Sequence, residues 1–127
     1  MDVDGIATVA VDCGFKLHSQ LGPGLLESAY ETLMAHSLRK RGLAVERQRP
    51  VPIHFDGVAV DEGFRLDLLV EGKLVIELKS VERLAPVHGK QVLTCLRLMN
   101  LSLGLLMNFG APTFREGLRR IANGHPS

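Results

Sequence analysis

The chain has 127 residues, of which 46% are hydrophobic, and this is enough for one compact domain with its own core. The net charge of +1 does not indicate a general nucleic-acid binder. Acidic residues of a metal site could nevertheless offset the charge of a local basic surface. Two cysteines are too few for a disulfide scaffold, and neither a signal peptide nor an apolar stretch long enough to cross a membrane is apparent. We therefore expect a single cytoplasmic domain over residues 1–127, with reduced thiols and no membrane contact.

Apolar periodicity and turn residues divide the chain into helices and strands. The predicted elements in chain order are helices at 6–20 and 25–41, strands at 45–55, 58–70 and 74–79, a helix at 86–100, a strand at 103–109 and a helix at 114–122. Pro50 and Pro52 favour an edge position or a bulge for the first strand. Asp56-Gly57 predicts a hairpin turn after it.

This order of elements predicts an α/β fold, with a central mixed β-sheet flanked by α-helices. The strand at 74–79 and the strand at 103–109 are joined by a helix, so they should be parallel. The second of these strands is apolar on both faces, which is typical of an interior strand. Met107 and Phe109 are therefore predicted to be core residues.

Charged residues interrupt the two strands that flank Glu71-Gly72. Alternation along the first strand predicts one shared face for its apolar side chains, Phe64, Leu66, Leu68 and Val70. Asp67 then points to the other face, together with Arg65. In the next strand Glu77 and Lys79 project side by side.

The length of the loop decides whether the two acids meet. A two-residue loop of Glu71-Gly72 would turn Asp67 and Glu77 to opposite faces, whereas an odd loop such as Glu71-Gly72-Lys73 sets them directly across from each other. We predict the odd loop. Opposed residues have Cβ atoms about 4.5–5.5 Å apart, which is close enough for both carboxylates to bind one divalent ion.

Two neighbouring carboxylates repel each other unless a cation lies between them. Mg²⁺ takes oxygen ligands, keeps several waters and completes its shell with phosphate oxygens, so the pair predicts a phosphodiesterase centre with Mg²⁺ or Mn²⁺. Lys79 would hold or activate the attacking water. The alternative is an ordinary solvated hairpin, in which Asp67, Glu77 and Lys79 form weak cross-strand ion pairs.

Glu27 is a third candidate acid. On a helical wheel it lies just inside the edge of the apolar stripe, near Met34 and Leu38, where a carboxylate needs a partner or a metal. We interpret it as the third acid of the site; the alternative is a solvated residue that favours the helix N-terminus.

Polar residues on the helix at 86–100 also lie on one side. His88, Gln91 and Cys95 follow the spacing i, i+3 and i+7, so Gln91 could orient a water or a phosphate and His88 could contact a phosphate. A histidine at a helix start and a solvated Gln are the competing interpretation. Basic residues that could hold phosphates cluster in two segments: Arg39, Lys40, Arg41, Arg47 and Arg49, then Arg115, Arg119 and Arg120.

The segment Gly24-Leu25-Leu26-Glu27-Ser28-Ala29-Tyr30 resembles the signature of the GxxExxY proteins. Together with Arg65-Leu66-Asp67 and Glu77-Leu78-Lys79 it is similar to the core of the PD-(D/E)xK nuclease superfamily. The resemblance implies the restriction-endonuclease-like fold. It also implies Asp67 and Glu77 as metal ligands, the Leu78 carbonyl as a further ligand and Lys79 as the catalytic lysine. Leu66 replaces the proline of the superfamily's name, and Cys95 stands where related nucleases carry a tyrosine after Gln91.

The residues and the resemblance together predict a metal-dependent nuclease that acts on DNA. Glu27, Asp67 and Glu77 would bind the ion, and Lys79 and Gln91 would act beside it. By analogy with small resolvases of this superfamily, we expect a homodimer. The alternative is a non-catalytic module for nucleic-acid binding or assembly that keeps the nuclease fold.

Overall fold

The sheet at the centre of the molecule is mixed, as the sequence predicts. The computed structural model describes residues 1–125, and within them five strands form one sheet in the order β1-β2-β3-β4-β5. The strands are β1 (Val45–Phe55), β2 (Val58–Val70), β3 (Leu74–Lys79), β4 (Leu103–Asn108) and β5 (Leu118–Ala122). The helices are α1 (Val3–Leu21), α2 (Glu27–Lys40), α3 (Pro86–Met99) and the single turn α4 (Phe114–Gly117).

Local signals set the ends of these elements. The Asp2 side chain accepts the Gly5 N–H at 2.8 Å and caps the start of α1. Asn100 ends α3 in a left-handed conformation, with φ 56°. Asp56 and Gly57 form the predicted hairpin turn with φ 49° and 76°, and Phe55 pairs with Val58 across it.

Strand directions follow the predicted topology. β1, β2 and β3 are successively antiparallel, β3 and β4 are parallel, and β4 and β5 are antiparallel. The parallel pair is the one joined by α3, which confirms the predicted crossover. β1 lies at the edge of the sheet and its register shifts between Val51 and Ile53, so the edge position and the irregularity that the prolines predict are both present.

Each face of the sheet carries its own apolar cluster. α1 and α2 cover one face, where Tyr30, Met34 and Leu38 pack against Ile76 and Phe109. α3 covers the other face, and its cluster consists of Val51, Leu66, Leu69, Val75, Val92, Cys95, Leu96 and Leu106. Met107 and Phe109 are both fully buried, which confirms them as core residues. None of the helices within residues 1–125 has the length and hydropathy needed to span a membrane.

The predicted terminal helix at 114–122 is wrong. Only Phe114–Gly117 is helical, and the chain then forms β5, which pairs with β4 from Leu103 opposite Ala122 to Met107 opposite Leu118. Pairing with the edge of β4 gives the backbone of β5 the hydrogen bonds that a helix would otherwise supply. Gly117 also approaches closely, since a Cβ there would lie 2.1 Å from the Asn108 carbonyl oxygen.

Candidate active site

The loop between β2 and β3 has the odd length that the sequence predicts. Val70 pairs with Leu74, which leaves the three residues from Glu71 to Lys73 in the turn. Glu71 and Gly72 adopt left-handed conformations, with φ 54° and 64°. The register pairs Leu68 with Ile76, so Asp67 and Glu77 come next, on facing strands.

Asp67 lies where β2 changes face. Leu66 lies in the α3 cluster and Phe64 packs against it, whereas Leu68 and Val70 pack beneath α1 and α2. The prediction that these four side chains share one face is therefore wrong. Regular pairing with β3 also ends at Leu68, so the strand leaves the ladder where the acid stands. The irregularity explains why alternation alone misplaces the side chains on either side of Asp67.

The two carboxylates bind backbone groups of each other's strand. Glu77 Oε1 accepts the Asp67 N–H at 2.9 Å, and Asp67 Oδ2 accepts the Leu78 N–H at 2.8 Å. At the point where β2 and β3 separate, carboxylate oxygens thus accept the hydrogen bonds of two backbone N–H groups. These bonds fix the position of both acids.

Burial and proximity oppose full ionisation of the pair. Glu77 is only 7% exposed, and its burial, followed by the nearby Asp67 charge, raises its pKa to about 8. Burial also raises the pKa of Asp67, although the hydrogen bond from Leu78 acts in the other direction. The Lys79 charge lowers the pKa of both acids. A positive charge beside the pair is therefore the favourable complement.

Lys79 is half-buried at the end of β3, next to the acids. It pairs with Asn108 of β4, and its carbonyl oxygen accepts the Phe109 N–H at 2.8 Å. The Asn108 side chain accepts the N–H groups of Val81 and Gly110 and donates to the Val81 carbonyl oxygen at 2.9 Å. The backbone that follows Lys79 is thus tied to the end of β4.

The Gly22–Tyr30 segment forms a braced loop before α2. The Tyr30 hydroxyl donates to the Gly22 carbonyl oxygen at 2.6 Å and accepts the Leu25 N–H at 3.3 Å. Its ring stacks on Phe109 with centroids 4.4 Å apart. The Leu25 carbonyl oxygen accepts the Ser80 hydroxyl at 2.7 Å, so this loop is held beside the residue that follows Lys79.

Glu27 stands in the first turn of α2, two residues after Leu25. Its side chain is exposed, so the expectation that it lies inside the apolar stripe is wrong. The contact between Leu25 and Ser80 nevertheless keeps the start of α2 near the end of β3. Its role as the third acid remains a proposal.

Glu31, one turn further along α2, is the acid that the sequence reasoning missed. It is only 7% exposed, and its Oε2 accepts two N–H groups of Arg47 at 3.0 and 2.9 Å. Gln48 Nε2 donates to Glu31 Oε1 and also to Asp67 Oδ1, the latter at 3.3 Å. The signal was present, because Glu31 shares the apolar stripe of α2 with Met34, Ala35 and Leu38.

The predicted polar line on α3 is divided between three environments. Gln91 is exposed, whereas Cys95 is fully buried, and burial followed by the Glu77 charge raises its pKa to about 12. His88 Nδ1 accepts the Ala85 N–H at 3.0 Å, which uses this nitrogen at the start of the helix. Cys95 therefore lies behind the acids, in the core, and Gln91 lies one turn before it at the surface.

Many of the basic residues are already paired. Arg41, Arg47 and Arg49 form ion pairs with Asp12, Glu31 and Glu46. Arg120 pairs with Asp4, and Arg119 donates to the backbone carbonyl oxygens of Glu116 and Leu118. These partners offset much of the positive charge that the sequence places in the two basic segments.

The donor set fits a hard divalent cation. Asp67 and Glu77 supply oxygen ligands, which Mg²⁺ and Mn²⁺ accept while retaining waters. Their mutual repulsion and burial give a cation there a favourable interaction. In the part of the chain that the structure describes, no group of three or more His, Cys, Asp or Glu residues forms a complete metal-binding cluster. A cation held by Asp67 and Glu77 would therefore need further oxygen ligands.

The profile of the PD-(D/E)XK nuclease superfamily matches residues 4–121, from α1 to β5. The chain belongs to this superfamily, and its mixed sheet with flanking helices agrees with that fold. No curated protein and no solved structure matches the chain significantly.

Proposed function

We propose that the protein is a nuclease that hydrolyses phosphodiester bonds in DNA with Mg²⁺ or Mn²⁺. The observation that carries this proposal is the pair of Asp67 and Glu77 at the point where β2 and β3 separate. Lys79 lies beside the pair, on the same strand as Glu77. Superfamily membership supports the reaction class.

Asp67 and Glu77 would hold the ion, with the Leu78 carbonyl and Glu27 as additional ligands. Such an ion polarises a phosphoryl oxygen and lowers the pKa of bound water. The backbone hydrogen bonds of the two acids hold them in place before any ligand arrives. This preorganisation reduces the cost of bringing the two charges together.

Lys79 would hold the attacking water, and its charge keeps the two acids closer to their ionised forms. Gln91, exposed on α3, would orient a water or a phosphate at the mouth of the site. Cys95 lies in the core and would not contact the substrate.

We propose that a homodimer binds the DNA, because a chain of 127 residues presents a small surface to a duplex. This step rests on analogy with other small nucleases of the fold.

The free, buried cysteines are compatible with a cytoplasmic setting.

The proposal is tested by titrating wild type and Glu77→Gln with Mn²⁺ in a calorimeter and then assaying the same samples for cleavage. The substrates are supercoiled, linear, single-stranded and branched DNA, with matched RNA. Glu77→Gln retains an oxygen that can accept the Asp67 N–H but removes the charge. Glu116→Gln, an exposed change on α4, is the matched control.

Loss of both binding and cleavage in Glu77→Gln but not in Glu116→Gln would support the nuclease. Metal binding without cleavage of any substrate would favour a non-catalytic module that keeps the fold. A wild-type protein that neither binds Mn²⁺ nor cleaves would contradict the proposal.

A further inference from the structure

Gln48 on β1 has an unusual backbone for a strand residue. The register that pairs Arg47 with Leu68 and Arg49 with Leu66 sets Gln48 opposite Asp67. Gln48 is left-handed, with φ 51°, a conformation that non-glycine residues adopt at a cost. It stands where β1 changes face: Arg47 contacts Glu31 of α2, whereas Val51 packs in the α3 cluster. β1 and β2 therefore change face together at Gln48 and Asp67.

The side chain of Gln48 connects two carboxylates. Its Nε2 donates to Asp67 Oδ1 at 3.3 Å and to Glu31 Oε1. The other oxygen of Asp67, Oδ2, accepts the Leu78 N–H at 2.8 Å. Asp67 is therefore held at both oxygens, by β1 on one side and by β3 on the other, and this defines the orientation of its carboxylate plane.

Gln48 is itself held in place. Glu31 is 7% exposed, and Arg47 binds its second oxygen through two N–H groups at 3.0 and 2.9 Å. The hydrogen bonds run from Arg47 through Glu31 and Gln48 to Asp67, so they join β1, α2 and β2. A left-handed residue that is anchored in this way is typical of sites where the surrounding structure fixes a side chain for a task.

We propose that Gln48 is a positioning residue, which orients the Asp67 carboxylate for cation binding by joining it to Glu31. The inference rests on the function proposed above. Groups that hold a metal ligand from behind contribute strongly to metal affinity, and their loss typically lowers it by about 10–100-fold. The amide does not need to contact the ion for this effect.

The test compares Mn²⁺ dissociation constants, measured by calorimetry and by electron paramagnetic resonance, for wild type and Gln48→Met. Methionine keeps the length of the side chain but has no N–H donor. Gln20→Met, at an exposed position in α1, is the matched control. Glu31→Gln and the double variant complete a cycle, and circular dichroism gives the thermal midpoint of each protein.

We expect Gln48→Met to bind Mn²⁺ about tenfold more weakly or worse, with Gln20→Met unchanged. The double variant should bind Mn²⁺ no more weakly than the single variant with the larger loss of affinity, because both changes interrupt the same chain of hydrogen bonds. A lower thermal midpoint with an unchanged dissociation constant would show that Gln48 is merely structural and would overturn the inference. Absence of Mn²⁺ binding by the wild type would instead overturn the proposed function, and this inference with it.

Discussion

Asp67 and Glu77 are part of the pairing between β2 and β3 as well as candidate ligands. Glu77 accepts the Asp67 N–H at 2.9 Å, and Asp67 in turn accepts the N–H of Leu78, the residue after Glu77, at 2.8 Å. Removing either side chain therefore has two opposed effects on stability. It relieves the repulsion between the two acids, and it leaves a backbone N–H without its acceptor.

These effects separate in two variants of Glu77. Glu77→Gln removes the charge and keeps an oxygen acceptor, so its free energy of unfolding at pH 9 should exceed that of wild type by up to about 5 kcal/mol, the equivalent of a pKa raised from 4.5 to about 8. Glu77→Ala also removes the acceptor and should be less stable than Glu77→Gln by about 1–3 kcal/mol. Urea unfolding without divalent ions measures both values. Equal stability of the two variants would show that the bond to Asp67 contributes little.

The raised pKa of Glu77 gives stability a specific dependence on pH. The folded protein holds this proton up to a pKa of about 8, whereas the ordinary value is 4.5, so folding takes up a proton between these limits. The stabilisation is fully present below pH 4.5 and is lost as pH rises through about 8. For this one group the slope between these limits is at most about 1.4 kcal/mol per pH unit.

Urea unfolding at intervals from pH 5 to pH 9 measures this slope, and Glu77→Gln is the control, because residue 77 then has no proton to exchange while Asp67 still titrates. Exposed acids such as Asp4 and Asp12 affect stability in a different pH range. Their ion pairs lower their pKa, so their contribution to stability is lost only at a more acidic pH. A wild type whose stability changes with pH no more than that of Glu77→Gln would refute the raised pKa of Glu77.

Tyr30 of the Gly24–Tyr30 motif is predicted to be structural. Tyr30→Phe keeps the ring that stacks on Phe109 and removes the hydroxyl that joins Gly22 to Leu25. We expect a loss of about 1–2 kcal/mol in the free energy of unfolding. Cleavage by a protease within residues 22–26 should also become faster, because the hydroxyl braces this loop. Ser80→Ala, which removes the contact of Ser80 with Leu25, should show the same faster proteolysis; an unaltered loop in both variants would contradict the prediction.

Local patterns were sufficient for most elements of this fold. Asp56-Gly57, the two prolines of β1 and the apolar run of β4 each act through neighbouring residues, and the predicted turn, edge strand and interior strand are present. The odd loop after Val70 could be chosen because only that length brings Asp67 and Glu77 to facing positions. Such features depend on residues close together in the chain.

The predictions that are wrong concern residues whose structure depends on partners distant in the chain. Residues 118–122 were predicted to be helical, but they form a strand because the edge of β4 offers backbone partners that the local pattern does not reveal. The change of face at Asp67 coincides with the left-handed Gln48 on another strand. Glu31 was overlooked in favour of Glu27, although its place among Met34 and Leu38 already required a partner, which Arg47 supplies.

Both cysteines are predicted to be unreactive in the native protein. Cys13 is 5% exposed and Cys95 is fully buried, and burial raises the pKa of each, that of Cys95 to about 12. Because the thiolate is the reactive form, a disulfide reagent at pH 8 should label neither residue rapidly. Two equivalents should react after unfolding in urea. Rapid labelling of Cys95 in the native protein would show that the core beside Glu77 opens.

Lys79 is predicted to act in cleavage more than in metal binding. In Lys79→Met, loss of the lysine charge removes a repulsion on the cation, but it also raises the pKa of Asp67 and Glu77, so the two effects on metal affinity oppose each other. We expect the Mn²⁺ dissociation constant to change by no more than about threefold. The rate constant for cleavage should fall by about 100-fold or more, because the group that we propose to hold the attacking water is gone.

Single-turnover cleavage and Mn²⁺ calorimetry on the same samples separate these two quantities. Lys73→Met is the matched control, since Lys73 lies in the loop just before β3 and its Nζ donates to the exposed Met1 carbonyl oxygen, at 3.1 Å, and to no other group within residues 1–125. That variant should bind Mn²⁺ and cleave like the wild type. If Lys79→Met keeps wild-type cleavage, Lys79 serves only to balance the charge of Asp67 and Glu77, and the water must be activated by another group.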